Sequence, residues 1–593
     1  MSKLWQAMTA WNQPVMAPLL GHVEVDDGRR HGPFEVLVRH LFNRLLSSES
    51  LGADDETATR ITQMAYAVAL PGLVVALFLD PLYHSPLGPR PYWPQVSDHF
   101  FYVNYSFVVM GLGTVLQWDL LFPDQLDVFI LTSLPIARSK LLLGRVAALA
   151  IFFGSILLGA NLPGWAGFTG AADLRDAMFA LPAAHAVAIL MAGLFASAFL
   201  VALQGVLVCL FGQRVARRVS PIVQALCVLV LLTLLFLSLL LSHSLDVLLR
   251  SNSHAVFWFP PFWFLGLYEH LLHGNATAPV FSTLARIAVR ATALVSIVAI
   301  VTYPLAYARR VRQIVEGVGM RNPGARLKPF QGLLHATLLR EPRLRAIFHF
   351  IGQTLWRRQQ LRLLLAVFGG LGLAMTISSV LLVRIGHGSP GFAVSPYGMR
   401  LAIPVMAFWT VAGLRAAFRT RVAENASWAF WAIHGRPKYV HLRGAETWVA
   451  TCASAVTLTT AMVLHIFAPV ALRSPGAFTF QMLIAIAASV LLTDAFFLNA
   501  RAIPFTKAQG YSVGNLSLVV ITYFVLFPAF ALGLVATEPW MEANRFHLVI
   551  ATGCAVAIHI MLRRAKAREV DGQAGPLEMD EVILRPGEMG LRS

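Results

Sequence analysis

Asp124-Gln-Leu-Asp127-Val-Phe-Ile-Leu-Thr-Ser133-Leu134-Pro135-Ile-Ala-Arg138-Ser-Lys140-Leu-Leu-Leu-Gly144-Arg145 is the stretch on which the reading of this chain turns. It is a charged, proline-bearing interruption between two long apolar runs. Backbone of that kind cannot lie in lipid, where every polar group must be satisfied within the segment. It reads as an elbow between two membrane-spanning helices. Its mixture of acids, bases and apolar residues suits a surface on which a partner docks.

Composition agrees. The chain has 593 residues, of which 57% are hydrophobic and 13% charged, whereas soluble domains carry about 25% charged residues. About 20 mostly apolar residues cross the hydrocarbon core, and twelve runs qualify. The first six are Ile61–Leu79, Phe101–Leu116, Leu142–Leu162, Ala184–Phe211, Pro221–Leu241 and Ala288–Tyr307. The second six are Leu361–Val383, Leu401–Ala417, Thr447–Val470, Phe480–Leu498, Leu516–Val535 and Phe546–Leu562. The expectation is an all-α polytopic membrane protein.

The net charge of +17 could suggest nucleic acid, but its placement does not. With a cytosolic N-terminus and alternating spans, 38 of the 47 Lys and Arg residues fall on the cytosolic side. That asymmetry is the positive-inside pattern. Topology and anionic lipid account for the basicity, and no nucleic-acid partner is expected. The expected location is the cytoplasmic membrane, with both termini cytosolic. Met1–Leu20 has no apolar core of signal-peptide length.

A shift of 300 residues lays the first six spans over the second six. Gly72 falls on Gly372, Gly113 on Gly413, Asp124 on Glu424, Leu142 on Leu442 and Gly144 on Gly444. Six spans return the chain to its starting side, so the halves form a parallel repeat. The expected organisation is 1–60, an N-terminal segment with an interfacial helix; 61–307, the first half; 308–360, a basic linker with a second interfacial helix; 361–562, the second half; and 563–593, a tail. Pro33–Ser47 and Glu341–Gln360 carry apolar residues at helical spacing among arginines, the pattern of a helix lying on a leaflet. On the outer side, Phe257-Trp-Phe-Pro-Pro-Phe-Trp-Phe264 predicts a re-entrant or interfacial hairpin, since such aromatics collect at membrane interfaces.

Catalytic signatures are missing. No lysine follows a glycine, so a P-loop is impossible, and neither HExxH nor GxSxG occurs. No cofactor, metal site or enzymatic activity is expected. Glu269-His270-Leu-Leu-His273 pairs two histidines, but an interfacial role outweighs a metal. Cys209, Cys227, Cys452 and Cys554 lie in apolar runs with no CxxC, which reads as core packing. Ionisable residues inside spans are costly and point to function. Asp494 and Arg415, both toward inner span ends, form a candidate pair, with snorkelling as the simpler account of Arg415.

An interfacial helix, two spans, an Asp…Ser-Leu-Pro…Arg-x-Lys elbow, then four spans with an outer re-entrant region resembles the ABC-2 type permeases, the membrane halves of type V ABC exporters. The resemblance covers nearly the whole chain, as two six-span halves fused in one polypeptide. It implies a coupling elbow that docks on a separate ATPase subunit, present in two copies. The matching positions are Asp124, Asp127, Ser133, Leu134, Pro135, Arg138 and Lys140. In the second half, Glu424, Trp428, Pro437 and Lys438 hold the equivalent place without the Ser-Leu-Pro core. Two rivals remain open: a secondary transporter, which needs midplane ion ligands, and a membrane-embedded lipid-modifying enzyme, which needs clustered His, Asp or Glu at one interface.

Overall fold

The computed structural model describes residues 32–46, 57–85, 90–171, 179–242, 245–250, 254–276, 278–315, 339–386, 389–419, 439–467, 475–498, 500 and 513–572. The chain is an all-α polytopic membrane protein. Among the described residues, eleven helices are long and apolar enough to cross a membrane, joined by a shorter apolar stretch at Val68–Tyr83.

In chain order the first half comprises α1 (Pro33–Leu46), α2 (Thr57–Tyr83), α3 (Tyr92–Leu116), α4 (Gln125–Thr132), α5 (Arg138–Ala171), α6 (Ala180–Leu241), α7 (Leu245–Arg250), α8 (His254–Trp258), α9 (Pro260–His273) and α10 (Pro279–Val315). The second half comprises α11 (Pro342–Arg357), α12 (Gln359–Val380), strands β1 (Leu381–Gly386) and β2 (Ser389–Val394), then α13 (Pro396–Arg419), α14 (Tyr439–Phe467), α15 (Pro475–Phe497), α16 (Val513–Ala543) and α17 (Arg545–Gly572).

α6 holds both the fourth and the fifth span. Its 62 residues would measure about 93 Å if straight, three times the hydrocarbon thickness. It is not straight. Gln204 donates to the Trp118 carbonyl at 2.6 Å and Gln224 to the Val115 carbonyl at 2.9 Å. Those carbonyls lie one turn apart, whereas the glutamines would be about 30 Å apart on a straight helix. The chain therefore doubles back between them, in the stretch whose sequence carries Arg214, Arg217 and Arg218.

The halves share a plan. The second span of each is the central one: α3 is 72% buried and α13 89% buried over their apolar windows, whereas α17 is 0% buried. Each interfacial helix packs on the start of the third span. Leu37, Leu41 and Leu45 form the buried stripe of α1, and Leu344, Phe348, Ile351 and Leu355 that of α11. A Cβ on Gly144 would lie 2.9 Å from Leu37, and one on Gly444 would lie 3.0 Å from Ile347. The two glycines paired by the 300-residue shift thus admit the two interfacial helices at equivalent points. These helices rest their apolar faces on protein, not on the leaflet alone.

Where the halves differ, they differ on the side away from the basic residues. α9 enters the first half and buries Phe262, Phe264, Leu265, Leu267 and Tyr268 against α3, α6 and α10. Pro260 and Pro261 open this helix instead of breaking it, because an N-terminal proline has no required N–H to lose. Trp258, before it, is 85% exposed. The predicted re-entrant element is thus a buried helix. In the second half, an antiparallel hairpin pairs Leu381 with Val394 and Gly386 with Ser389. The predicted span Leu361–Val383 therefore ends at Val380, and 381–383 are strand. The hairpin meets α6 and α7 of the first half. The main seam between halves is α12 against the second arm of α6, where a Cβ on Gly370 would meet Leu232 at 3.3 Å and Val228 at 3.4 Å.

Candidate functional site

The elbow is built around the end of α3. A helix end leaves carbonyls without intrahelical partners, and here other helices supply the donors. Gln224 and Gln204 take Val115 and Trp118; the Tyr303 hydroxyl donates to Leu121 at 2.7 Å; Arg145 donates to Leu120 and Phe122. The Trp118 indole donates to Ser220 at 2.7 Å. The turn Trp118–Leu121 is thereby fixed to α5, α6 and α10.

α4 follows, ending before Ser133-Leu134-Pro135 because a residue preceding proline resists helical backbone. The Ser133 hydroxyl donates to the Ile130 carbonyl at 2.7 Å. Phe129 (59% exposed), Ile130 (57%) and Leu134 (46%) point outward, and Ser133, Pro135, Arg138 and Lys140 are exposed beside them. This is an apolar patch with basic residues next to it, on the side where cations collect.

Asp127 departs from the expectation. It is 3% exposed and turned inward, so it is not part of a docking face. It pairs with Arg44 of α1 and lies 3.8 Å from Arg145 of α5. Asp124 is exposed and sits 3.3 Å from Arg44. The acids brace the elbow from behind, while the residues from Phe129 to Lys140 form its outer face. Glu424, Trp428, Pro437 and Lys438 lie outside the described residues.

Of the candidate intramembrane pair, Asp494 hydrogen-bonds His559 of α17, and the Arg415 guanidinium lies over the Phe497 ring, 4.8 Å from its centroid. The same end of the second half holds an ion pair between Glu446 and Lys566, both buried, with Lys566 also donating to the Phe497 carbonyl at 2.5 Å.

Two clusters were not foreseen. The first lies at the end of the first half opposite the elbow. Glu269 is fully buried, takes His99 Nδ1 at 2.7 Å and the Tyr92 hydroxyl at 3.2 Å, and lies 3.4 Å from His273. Asp98 accepts from Arg90 at 2.6 and 2.8 Å and from Tyr83 at 3.0 Å. His185 joins through Tyr268 at 3.1 Å. Burial alone would push the Glu269 carboxyl up, but the hydrogen bonds from His273 and His99 prevail and hold it down to about 2. The bond to Glu269 pushes His273 up. The sequence signal was Asp98-His99, two residues before the span expected from Phe101, which α3 takes in by starting at Tyr92. Among the described residues, no group of three or more His, Cys, Asp or Glu side chains is arranged to hold a metal ion.

The second cluster is Asp119, Arg310 and Arg362 at the basic end of the seam. Asp119 lies at an exposed rim, yet the protein packed around its carboxyl pushes it up to about 6 against the pull of the two arginines. The arrangement resembles no known protein closely enough to identify it: no family model, curated protein or solved structure matches this chain.

Proposed function

We propose that this chain is the membrane-spanning permease of an ATP-driven exporter of the ABC-2 type, energised by a separate ATPase that binds as two copies. It would sit in the cytoplasmic membrane with both termini cytosolic and carry out no hydrolysis itself. One observation carries the reading: the exposed Phe129, Ile130 and Leu134, flanked by Arg138 and Lys140, stand on a rigidly braced turn. An exposed apolar patch on a rigid base suits a partner's groove. The brace ties that patch to α1, α5 and α10, so a push on it would move three helices together.

The test is affinity purification of the full chain from its native membrane. The expected partner is an ATP-hydrolysing subunit identified by mass spectrometry and by nucleotide turnover. Phe129→Asp with Leu134→Asp should abolish its recovery while leaving the permease folded. Recovery unchanged by that double variant would remove the elbow's role.

A second reading, secondary transport, draws on the buried Asp98–Arg90 and His99–Glu269 pairs. It requires uptake into vesicles driven by a pH gradient without ATP, which separates the two readings directly.

A further inference from the structure

Three ionisable side chains from three elements lie within electrostatic reach of one another at the basic end of the seam. Asp119 belongs to the turn after α3, Arg310 to the end of α10 and Arg362 to the start of α12. Packing sets their level. Gly370 of α12 lies against Val228 and Leu232 of α6, and the hairpin that follows α12 meets α7, which follows α6, so the two helices run the same way. Eight residues back along each, about 12 Å at helical rise, Arg362 comes level with Ser220. Ser220 holds the Trp118 indole, next to Asp119. Tyr303, two turns before Arg310, holds the Leu121 carbonyl. The charges of Arg310 and Arg362 both reach the Asp119 carboxyl.

The groups act on one another but do not close into ion pairs. Among the described residues, the Nε atoms of Arg310 and Arg362 are buried and have no hydrogen-bond partner. Arginines that merely snorkel keep their whole polar heads in water; here each side chain is only partly exposed and its Nε is shut away from solvent. Two buried donors without acceptors, one from each half, call for an acceptor that can face both. Asp119, at the exposed rim beside them, presents a carboxylate to any cationic donor on the same ligand. Phosphate matches two guanidiniums better than any single-point anion, because each guanidinium presents a planar fork of N–H groups. An amine on the same molecule matches the carboxylate. Basic pockets between spanning helices on the cytosolic side are the usual place for phosphate headgroups.

We propose that Arg310, Arg362 and Asp119 form a binding site at the seam for a phosphodiester headgroup that carries a primary amine, with the phosphate on the two guanidiniums and the ammonium on Asp119. The site joins the two halves through the ligand. It does not depend on the exporter reading, because a headgroup bound there would serve as substrate or as structural lipid alike.

The experiment is native mass spectrometry of the full chain released from nanodiscs of equal phosphatidylethanolamine, phosphatidylglycerol and phosphatidylcholine. The wild type should retain phosphatidylethanolamine preferentially. Phosphatidylcholine has the phosphate without N–H donors, and phosphatidylglycerol has no ammonium. Arg310→Gln with Arg362→Gln should lower retention about tenfold or more, as expected for lost charge-assisted bonds. Asp119→Asn should shift the preference toward phosphatidylglycerol. Free glycerophosphorylethanolamine that displaces the lipid at millimolar concentration would assign the site to a soluble headgroup of the same chemistry; failure to displace assigns it to the lipid. Unchanged retention in the arginine variant, or unchanged preference in Asp119→Asn, would overturn the proposal. Should the arginine variant fail to fold, photo-crosslinkable phosphatidylethanolamine on the wild type decides. Crosslinks within 305–315 or 359–365 support the site, and crosslinks confined elsewhere overturn it.

Discussion

Asp127→Asn isolates the brace behind the elbow from the face in front of it. The substitution keeps shape and removes one charge. Breaking a buried ion pair costs about 3–5 kcal/mol when the remaining charge has no other partner. Here that upper range does not apply. Arg44 keeps Asp124 at 3.3 Å and its side chain is 26% exposed, so water and a second acid compensate it. Arg145 bears the loss: its side chain is only 3% accessible, and with Asp127 neutral it keeps only the Leu120 and Phe122 carbonyls. The expected loss is about 1–3 kcal/mol. A double-mutant cycle with Arg145→Met, read by denaturant unfolding in detergent, should give a coupling of about 1–3 kcal/mol. The exposed pair Arg138→Glu and Lys140→Glu should stay within about 0.5 kcal/mol of wild type. Additivity of Asp127→Asn and Arg145→Met within about 0.5 kcal/mol would refute the brace.

Gly266→Ala places a Cβ 2.3 Å from that of Leu284 and 2.9 Å from the Phe281 carbonyl, where nothing flexible can give way; it should cost about 3 kcal/mol or more and loosen α9 from α10, seen as new proteolysis near 260–273. The Glu269 cluster should make stability depend on pH. His273 is pushed up, so its contribution is complete below the ordinary histidine value and fades as pH rises through its folded one; Glu269 is held down to about 2, so its contribution is present above the ordinary glutamate range and fades only as pH falls toward 2. Melting temperature should therefore fall from mildly acidic toward alkaline pH, and Glu269→Gln should flatten that slope; an unchanged slope would separate the cluster from the effect. Lys566→Met should leave Glu446 charged and buried at a cost of about 3–5 kcal/mol, partly recovered by adding Glu446→Met, as unfolding in detergent would read.

Hydropathy made the spans legible because crossing the membrane is a property of about twenty residues taken together. It could not rank them. α3 and α17 have mean hydropathies of 1.3 and 1.7, yet one is 72% buried in protein and the other 0%. Lipid and protein interior are equally apolar, so only packing distinguishes them. The repeat was legible at Gly144 and Gly444, where close approach tolerates one residue type. The β-hairpin was not, because Leu381-Leu-Val383 continues the apolar run of α12 and its pairing depends on residues after it. The Asp98–Arg90 and His99–Glu269 pairs were hidden for a related reason. Starting a span at its first unbroken apolar residue sets the preceding charges outside, and nothing local shows that a carboxylate 170 positions away will meet them. Asp127 looked like surface because charge usually is; its burial follows from Arg44, 83 positions away, and from Arg145, which the turn folds back onto it.

The two halves use one position differently. The start of the third span carries Arg145 in the first half, and the 300-residue shift sets it beside Glu446 in the second. Each is buried, each is paired, and each pair caps carbonyls at the end of a neighbouring element. The sign is reversed, and so is the partner. Arg145 joins Asp127 and thus ties its span to the elbow. Glu446 joins Lys566 and thus ties its span to the last helix, which has little other buried contact. Asp119 stands on the elbow side of this arrangement, in the turn just before the helix that carries Asp127, with Arg362 of the second half within its electrostatic reach. A displacement of α4 would therefore act at once on the brace and on the seam in the first half, whereas the Glu446–Lys566 pair leads to α17. An input at the described elbow thus has a route to the seam that the Glu446 brace does not share.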